Sequence, residues 1–334
     1  MNLKVLFVAV VVLLSSALSP AARAGRLTTE VVGIFPRDAA QFAFADLRQA
    51  RSLAWFPELQ KEVLPDQLRQ FEQFLASPGI DRDSLVEELA WAVVSSGSQP
   101  QPSQDGGAPA GEETVIVALG QFSPGSTDAY FKAQKRTVVK VRDYFLYPLS
   151  GGYGDKGLFV CFMDSTVAVL GGRKELERVI GIRYGEEQSL LSNTDLAPLI
   201  SQSNGRSVVW GALSAPQARL EMQELVPLIQ EFPQSQQLLS KLRAFTLEID
   251  AGTGIQTHFE ALYASPDDAN TFAALLQAGL LYQRYQVANS NLDLAAMLGQ
   301  AKVVPSGDRL DVTLALTDEQ VVDLIQSNTF AIHK

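Results

Sequence analysis

Phe245-Thr246-Leu247-Glu248-Ile249-Asp250, then Gly252-Thr253-Gly254, then Ile255-Gln256-Thr257-His258-Phe259-Glu260-Ala261-Leu262-Tyr263 stand in sequence late in the 334-residue chain. Apolar and polar residues alternate in both apolar runs, the pattern of a strand with one face buried and the other wetted. For Phe245, Leu247 and Ile249 to share a face with Ile255, Thr257, Phe259 and Ala261, a three-residue loop over Gly252 to Gly254 must close a hairpin. That register sets Glu248 opposite His258, Thr246 opposite Glu260 and Asp250 opposite Gln256. Ser265-Pro266-Asp267-Asp268 follows at once, with a capping serine, an early proline and acids that suit a helix N-terminus.

The same sequence of elements occurs upstream. Ala118-Leu119-Gly120-Gln121-Phe122-Ser123-Pro124 with Asp128-Ala129 matches Ala261-Leu262-Tyr263-Ala264-Ser265-Pro266 with Asp268-Ala269, each joining a hairpin's second strand to a helix. Val167-Ala168-Val169-Leu170, followed by a helix ending in Val179-Ile180, parallels Val312 to Leu316 followed by a helix carrying Leu324-Ile325. The expected fold is therefore α+β: two tandem related units of order β-α-β-β-α-β-β-α, each a mainly antiparallel sheet with helices packed on one face. The units span residues 25–190 and 191–334. Residues 97–113, rich in Gly, Pro and Gln, read as a flexible loop between two strands of the first unit, because they bury too little apolar surface to offset their ordering entropy.

Other elements follow from the same rules. Gln41 to Ala45, Glu88 to Ser95, Thr114 to Phe122 and a long run from Thr137 to Leu149 read as strands. Asp46 is placed to cap a short helix, and Leu64, Leu68, Phe71 and Leu75 make one apolar helical stripe. Thr317 to Gln320 matches a capping box before the last helix.

Residues 1–24 read as a secretory signal peptide. Lys4 precedes the apolar run Val5 to Leu18, and Ala22-Arg23-Ala24 completes a small-residue cleavage pattern, so cleavage after Ala24 is expected. As a helix the run reaches roughly 21 Å, short of a hydrocarbon core of roughly 30 Å. No later stretch approaches the length of a transmembrane helix, so no span is expected in the mature chain. The protein is expected to be exported, to a periplasm or beyond the cell.

Removing Lys4 and Arg23 with the leader takes no acid, so the formal charge moves from −10 to −12. A surface that acidic, with scattered Lys and Arg, does not suit nucleic acid. A 46% hydrophobic composition fills a core without disulfides, and the one cysteine, Cys161, lies in the apolar run Leu158 to Phe162 as a small core residue.

Two surfaces merit a functional reading. Glu248, Asp250, His258 and Glu260 share the polar face of the hairpin and offer a metal or proton-handling site; the same alternation also predicts an ordinary wetted sheet face. Phe272, Leu276 and Leu280, with Tyr282 and Tyr285, spread apolar character around the long helix, which suits an apolar ligand or partner as well as packing between the units. His333, the other histidine, is next to last. Gly151 to Gly157 lacks the ending of a phosphate loop, and Asn289 to Gln300 lacks the Gly and Glu of a calcium loop. Catalytic residues and cofactors are expected to be absent. The sequence favours a binding or scaffold protein of the cell envelope, with a protein or envelope component as partner. A carrier of an apolar ligand or lipid is the second reading, and a metal-dependent hydrolase the third.

Overall fold

The computed structural model describes residues 25–62, 64–77, 80, 85–95, 112–149, 157–219, 237, 239–251, 255–288 and 292–326. Residues 1–24, expected to be a signal peptide, the segment 97–111, most of Gly151 to Gly157 and His333 lie outside the described residues.

Twelve strands form one antiparallel sheet: β1 (Ala39–Asp46), β2 (Leu85–Ser95), β3 (Glu112–Gln121), β4 (Val139–Val141), β5 (Tyr144–Pro148), β6 (Phe159–Phe162), β7 (Val167–Gly171), β8 (Val209–Ser214), β9 (Leu242–Asp250), β10 (Ile255–Tyr263), β11 (Lys302–Ser306) and β12 (Arg309–Leu316). Their spatial order is β11-β12-β10-β9-β8-β1-β2-β3-β7-β6-β5-β4. The sheet is continuous because β1, the first strand in the chain, lies between β2 and β8, with Phe44 opposite both Ala90 and Trp210. The β9–β10 register is the one the apolar pattern requires: Glu248 faces His258, Thr246 faces Glu260 and Asp250 faces Gln256.

Helices cover both faces of the sheet's centre, where one face was expected. On one face Ala43, Ala45, Leu89, Trp91, Ile116 and Ala118 pack beneath α3 (Phe56–Glu62), α4 (Asp66–Leu75) and α5 (Pro124–Ala133). There Phe71, Phe122 and Phe162 form an aromatic cluster, with centroids 5.7–6.4 Å apart. On the other face Phe42, Phe44, Ala90, Ala92, Val115 and Val117 meet α6 (Arg173–Arg183), α7 (Leu196–Ser203) and the single turn α1 (Thr29–Val32). The reason is visible in β1: Phe42 to Ala45 are all fully buried, and a strand apolar on both sides must be covered on both sides.

The run Thr137 to Leu149 is not one strand. It folds back at Arg142-Asp143, where Arg142 takes the left-handed conformation (φ 55°) and Val141 pairs with Tyr144 across a two-residue loop. Asp46 caps α2 (Leu47–Ala50) by accepting from the Gln49 N–H. The capping box forms before α10 (Asp318–Gln326): Gln320 N–H donates to Thr317 Oγ1 and Thr317 N–H to Gln320 Oε1. Ser265 caps α8 (Pro266–Val287), which runs on towards α9 (Leu292–Gln300). Asp267-Asp268 and Asp318-Glu319 sit in first helical turns, where dipole complementation accounts for them. No helix of the described residues is long and apolar enough to cross a membrane.

Candidate functional site

The polar face of the β9–β10 hairpin assembles around a third strand. β12 pairs with β10 so that Asp311 stands opposite Glu260 and Thr313 opposite His258. Like charges placed directly opposite repel, and each acid is met by a cation or a latent one. Arg309 Nη1 donates to Glu260 at 2.6 Å and Gln202 Nε2 donates to the same carboxylate at 3.3–3.4 Å. His258 Nε2 lies 3.3 Å from Asp311 Oδ1, while its Nδ1 approaches Thr313 Oγ1 at 3.5 Å.

His258, Glu260 and Asp311 each place a ligand atom within 4.8 Å of the others, enough for a divalent cation in principle. Such an ion would have to take the Glu260 carboxylate from Arg309. Glu248 and Asp250 do not join this group: Glu248 faces His258 from the other neighbouring strand, and Asp250 is exposed beside Gln256. Asp311 was the residue that sequence reasoning missed. Its signal was the alternation Arg309, Asp311, Thr313, Ala315 in β12, but the partner strand of β12 could not be read from local pattern.

On α8 the structure divides the apolar residues between two roles. Phe272 is buried against Tyr263, with ring centroids 5.3 Å apart, and Leu276 packs on the same core. Leu280 is half-buried. Beyond it the side chains emerge: Leu281 is 65% exposed, Tyr282 57% and Tyr285 80%, and Leu292 at the start of α9 is 75% exposed.

A region the sequence did not signal lies on the other half of the molecule. Arg26, Glu30, Glu88, Met163, Asp164 and Arg183 line a cleft of about 340 Å3, bridged by an Arg183–Glu30 ion pair at 2.8 Å. Burial works to raise the Asp164 carboxyl, but hydrogen bonds from the Thr166 hydroxyl and the N–H groups of Thr166 and Val167, with Arg183 nearby, hold it below its ordinary range. Behind the cleft the β1–β2 register sets Asp46 directly opposite Glu88. The Asp46 side chain is 1% exposed and that of Glu88 14%. Burial pushes the Glu88 carboxyl up; Arg48 counters this, and Asp46 and Glu87 add to it, leaving the group above its ordinary range. Cys161 is fully buried, and burial pushes its thiol up to about 12, which removes it as a nucleophile.

No family model and no curated protein matches the chain. Among solved structures it is similar to crystal forms of TP0453. Form I aligns at 11% identity with a TM-score of 0.47, covering 90% of this chain and 98% of that one. Form III aligns at 10% identity with a TM-score of 0.49, covering 89% and 97%. Form IV gives 12%, 0.46, and 88% and 95%. At these values the likeness carries no argument about what this chain does.

Proposed function

We propose that the protein is exported, non-catalytic and built to bind a protein component of the cell envelope through the exposed side chains at the end of α8 and the start of α9. The observation that supports this is the exposure of Leu281, Tyr282, Tyr285 and Leu292 together, while Phe272 and Leu276 of the same helix are taken up by the core. Single exposed apolar residues are ordinary, but neighbouring large ones, two of them tyrosines, are what interfaces use. The candidate polar site on the β9–β10 hairpin is taken up by its own contacts, Arg309–Glu260 and His258–Asp311.

The finer reading of the fold belongs to the same proposal. The strand order mirrors about the β1–β8 seam, with β1-β2-β3-β7-β6 on one side answering β8-β9-β10-β12-β11 on the other. This supports two related units, fused side by side into one frame whose second copy carries the docking face.

A photo-crosslinking residue at position 285 or 292, in cells producing the full chain, is expected to capture one discrete protein partner. The same residue at Lys140, on the far edge strand β4, is expected to capture none. Equal labelling from the three positions, or loss of no crosslink when Leu281→Asp is added to the probe at position 292, would overturn the docking assignment.

A further inference from the structure

Gly25 is buried, and its nitrogen donates to Asp46 Oδ2 at 2.9 Å. Asp46 also accepts from the Gln49 N–H at 3.1 Å and from Gln49 Nε2 at 2.7 Å, which leaves it room for a further donor. Glu88 stands across the strand pair. A Cβ placed on Gly25 would lie 2.5 Å from Glu88 Oε1, 2.9 Å from its carboxyl carbon and 3.1 Å from Asp46 Oδ2. A side chain at position 25 would push the Glu88 carboxyl aside, which shows how close the Gly25 backbone lies to both carboxylates.

The charges around this point do not balance. Among the described ion pairs, Asp46, Glu87 and Glu88 share one cation, Arg48, whose guanidinium lies 3.9, 3.6 and 2.8 Å from them in turn. Arg26, one residue on, lays its side-chain carbons against Gly205, 3.4–3.5 Å from that glycine's Cβ position, and Arg183 is engaged by Glu30. Two acids packed face to face and withdrawn from water call for a second positive charge at close range.

The expected cleavage supplies one. Hydrolysis breaks the bond from the Ala24 carbonyl carbon to the Gly25 nitrogen: water's oxygen completes an Ala24 carboxylate, and the nitrogen leaves as an ammonium, catalysed by a leader-removing endopeptidase. The nitrogen that offered one hydrogen as an amide then offers three and carries a charge. We infer that the Asp46–Glu88 pair is the seat of the mature protein's α-ammonium group, so that removal of the leader completes an ion cluster inside the fold. The inference rests on the export reading, since it needs the new chain to begin at Gly25. It gives the N-terminal processing step a structural consequence: a precursor, or a chain trimmed at a neighbouring bond, folds without its second cation. Burial first, and then Asp46 and Glu87, raise the Glu88 carboxyl while Gly25 is an amide, and an ammonium beside it would act in the opposite direction.

The test compares two N-termini in three backgrounds. Full-length mature protein is released from a fusion so that it begins either at Gly25 or at a retained Ala24, in the natural sequence, in Glu88→Gln and in Asp46→Asn. The Gly25 start is expected to melt higher than the Ala24 start by roughly 2–4 °C. That gap is expected to shrink to less than half in either carboxylate variant. Because each gap is taken within one background, a general loss of stability in Asp46→Asn, which also caps α2, cancels. N-terminal sequencing of material exported by the producing cell is expected to read Gly25-Arg26-Leu27. A different first residue overturns the inference through the export reading. A Gly25 start with no gap, or with a gap indifferent to Glu88 and Asp46, overturns the seat and leaves export standing.

Discussion

Replacing Trp210 by alanine is expected to destabilise the whole molecule, including the half in which it does not lie. Trp210 sits on β8, fully buried, with its ring 5.5 Å from Phe42 and 5.7 Å from Phe44 across the seam with β1. Truncating a buried tryptophan costs about 3–5 kcal/mol. Its indole N–H has no hydrogen-bond partner, so removing it returns about 1–3 kcal/mol of desolvation penalty. A net loss of about 2 kcal/mol, with an m-value of about 3 kcal/mol/M for a chain this long, moves the urea midpoint down by roughly 0.7 M. The chain has three tryptophans, and the other two, Trp55 and Trp91, both lie in the first half, buried on the opposite face. In Trp210→Ala, tryptophan emission excited at the red edge, where tyrosine does not absorb, therefore reports only the first half while far-UV circular dichroism reports the whole. Both signals are expected to shift together by the same amount. If the Trp55/Trp91 emission keeps its original midpoint while the dichroism splits into two steps, the seam does not couple the halves and the reasoning is wrong. Trp210→Phe, which keeps a ring against Phe42 and Phe44 and drops the unbonded N–H, is expected to shift the midpoint by less than a third as much.

Three further outcomes follow from the described packing. Cys161 is expected to stay unmodified by a thiol reagent at pH 8 in the native protein and to react fully in denaturant, since burial holds its thiol near 12. Arg309→Met leaves Glu260, whose side chain is 10% exposed, with only Gln202 as donor; the pair's partial exposure at Arg309 reduces the cost to about 1–2 kcal/mol, read as a lower denaturation midpoint. Glu175 is held above its ordinary range by burial and then by a carboxyl–carboxyl hydrogen bond with Glu113. A carboxyl raised on folding favours the native state below its unfolded value and loses that contribution as pH climbs through its folded one. Glu175→Gln is therefore expected to raise the melting temperature by roughly 1–3 °C at pH 8 and to leave it nearly unchanged near pH 4.

The hairpin at β9–β10 was legible residue by residue because one face of it is apolar and the other polar, so parity fixed the register down to Glu248 opposite His258. The caps at Asp46, Ser265 and Thr317 were legible because they depend on neighbours three residues away. What local pattern could not give was the pairing of distant strands. Nothing near Gln41 to Ala45 announces β8 as a partner, and nothing near Asp311 announces His258. Arg142 bears no turn signature, so its left-handed turn was missed within an otherwise strand-like run. The Gly25–Asp46–Glu88 group escaped for the same reason, since it joins the start of the described chain to two strands through a contact that no periodicity encodes.

The position of β1 has a consequence for biogenesis. The first strand to emerge from a ribosome becomes the middle of the finished sheet. Until Val209 to Leu213 arrive to pair with it, one whole margin of the first half, with Phe42 and Phe44 along it, stands open. Uncapped margins recruit other chains, and contacts this remote in sequence form slowly. A nascent chain of this design therefore needs to be held extended, or shielded by a chaperone, until its latter half is delivered.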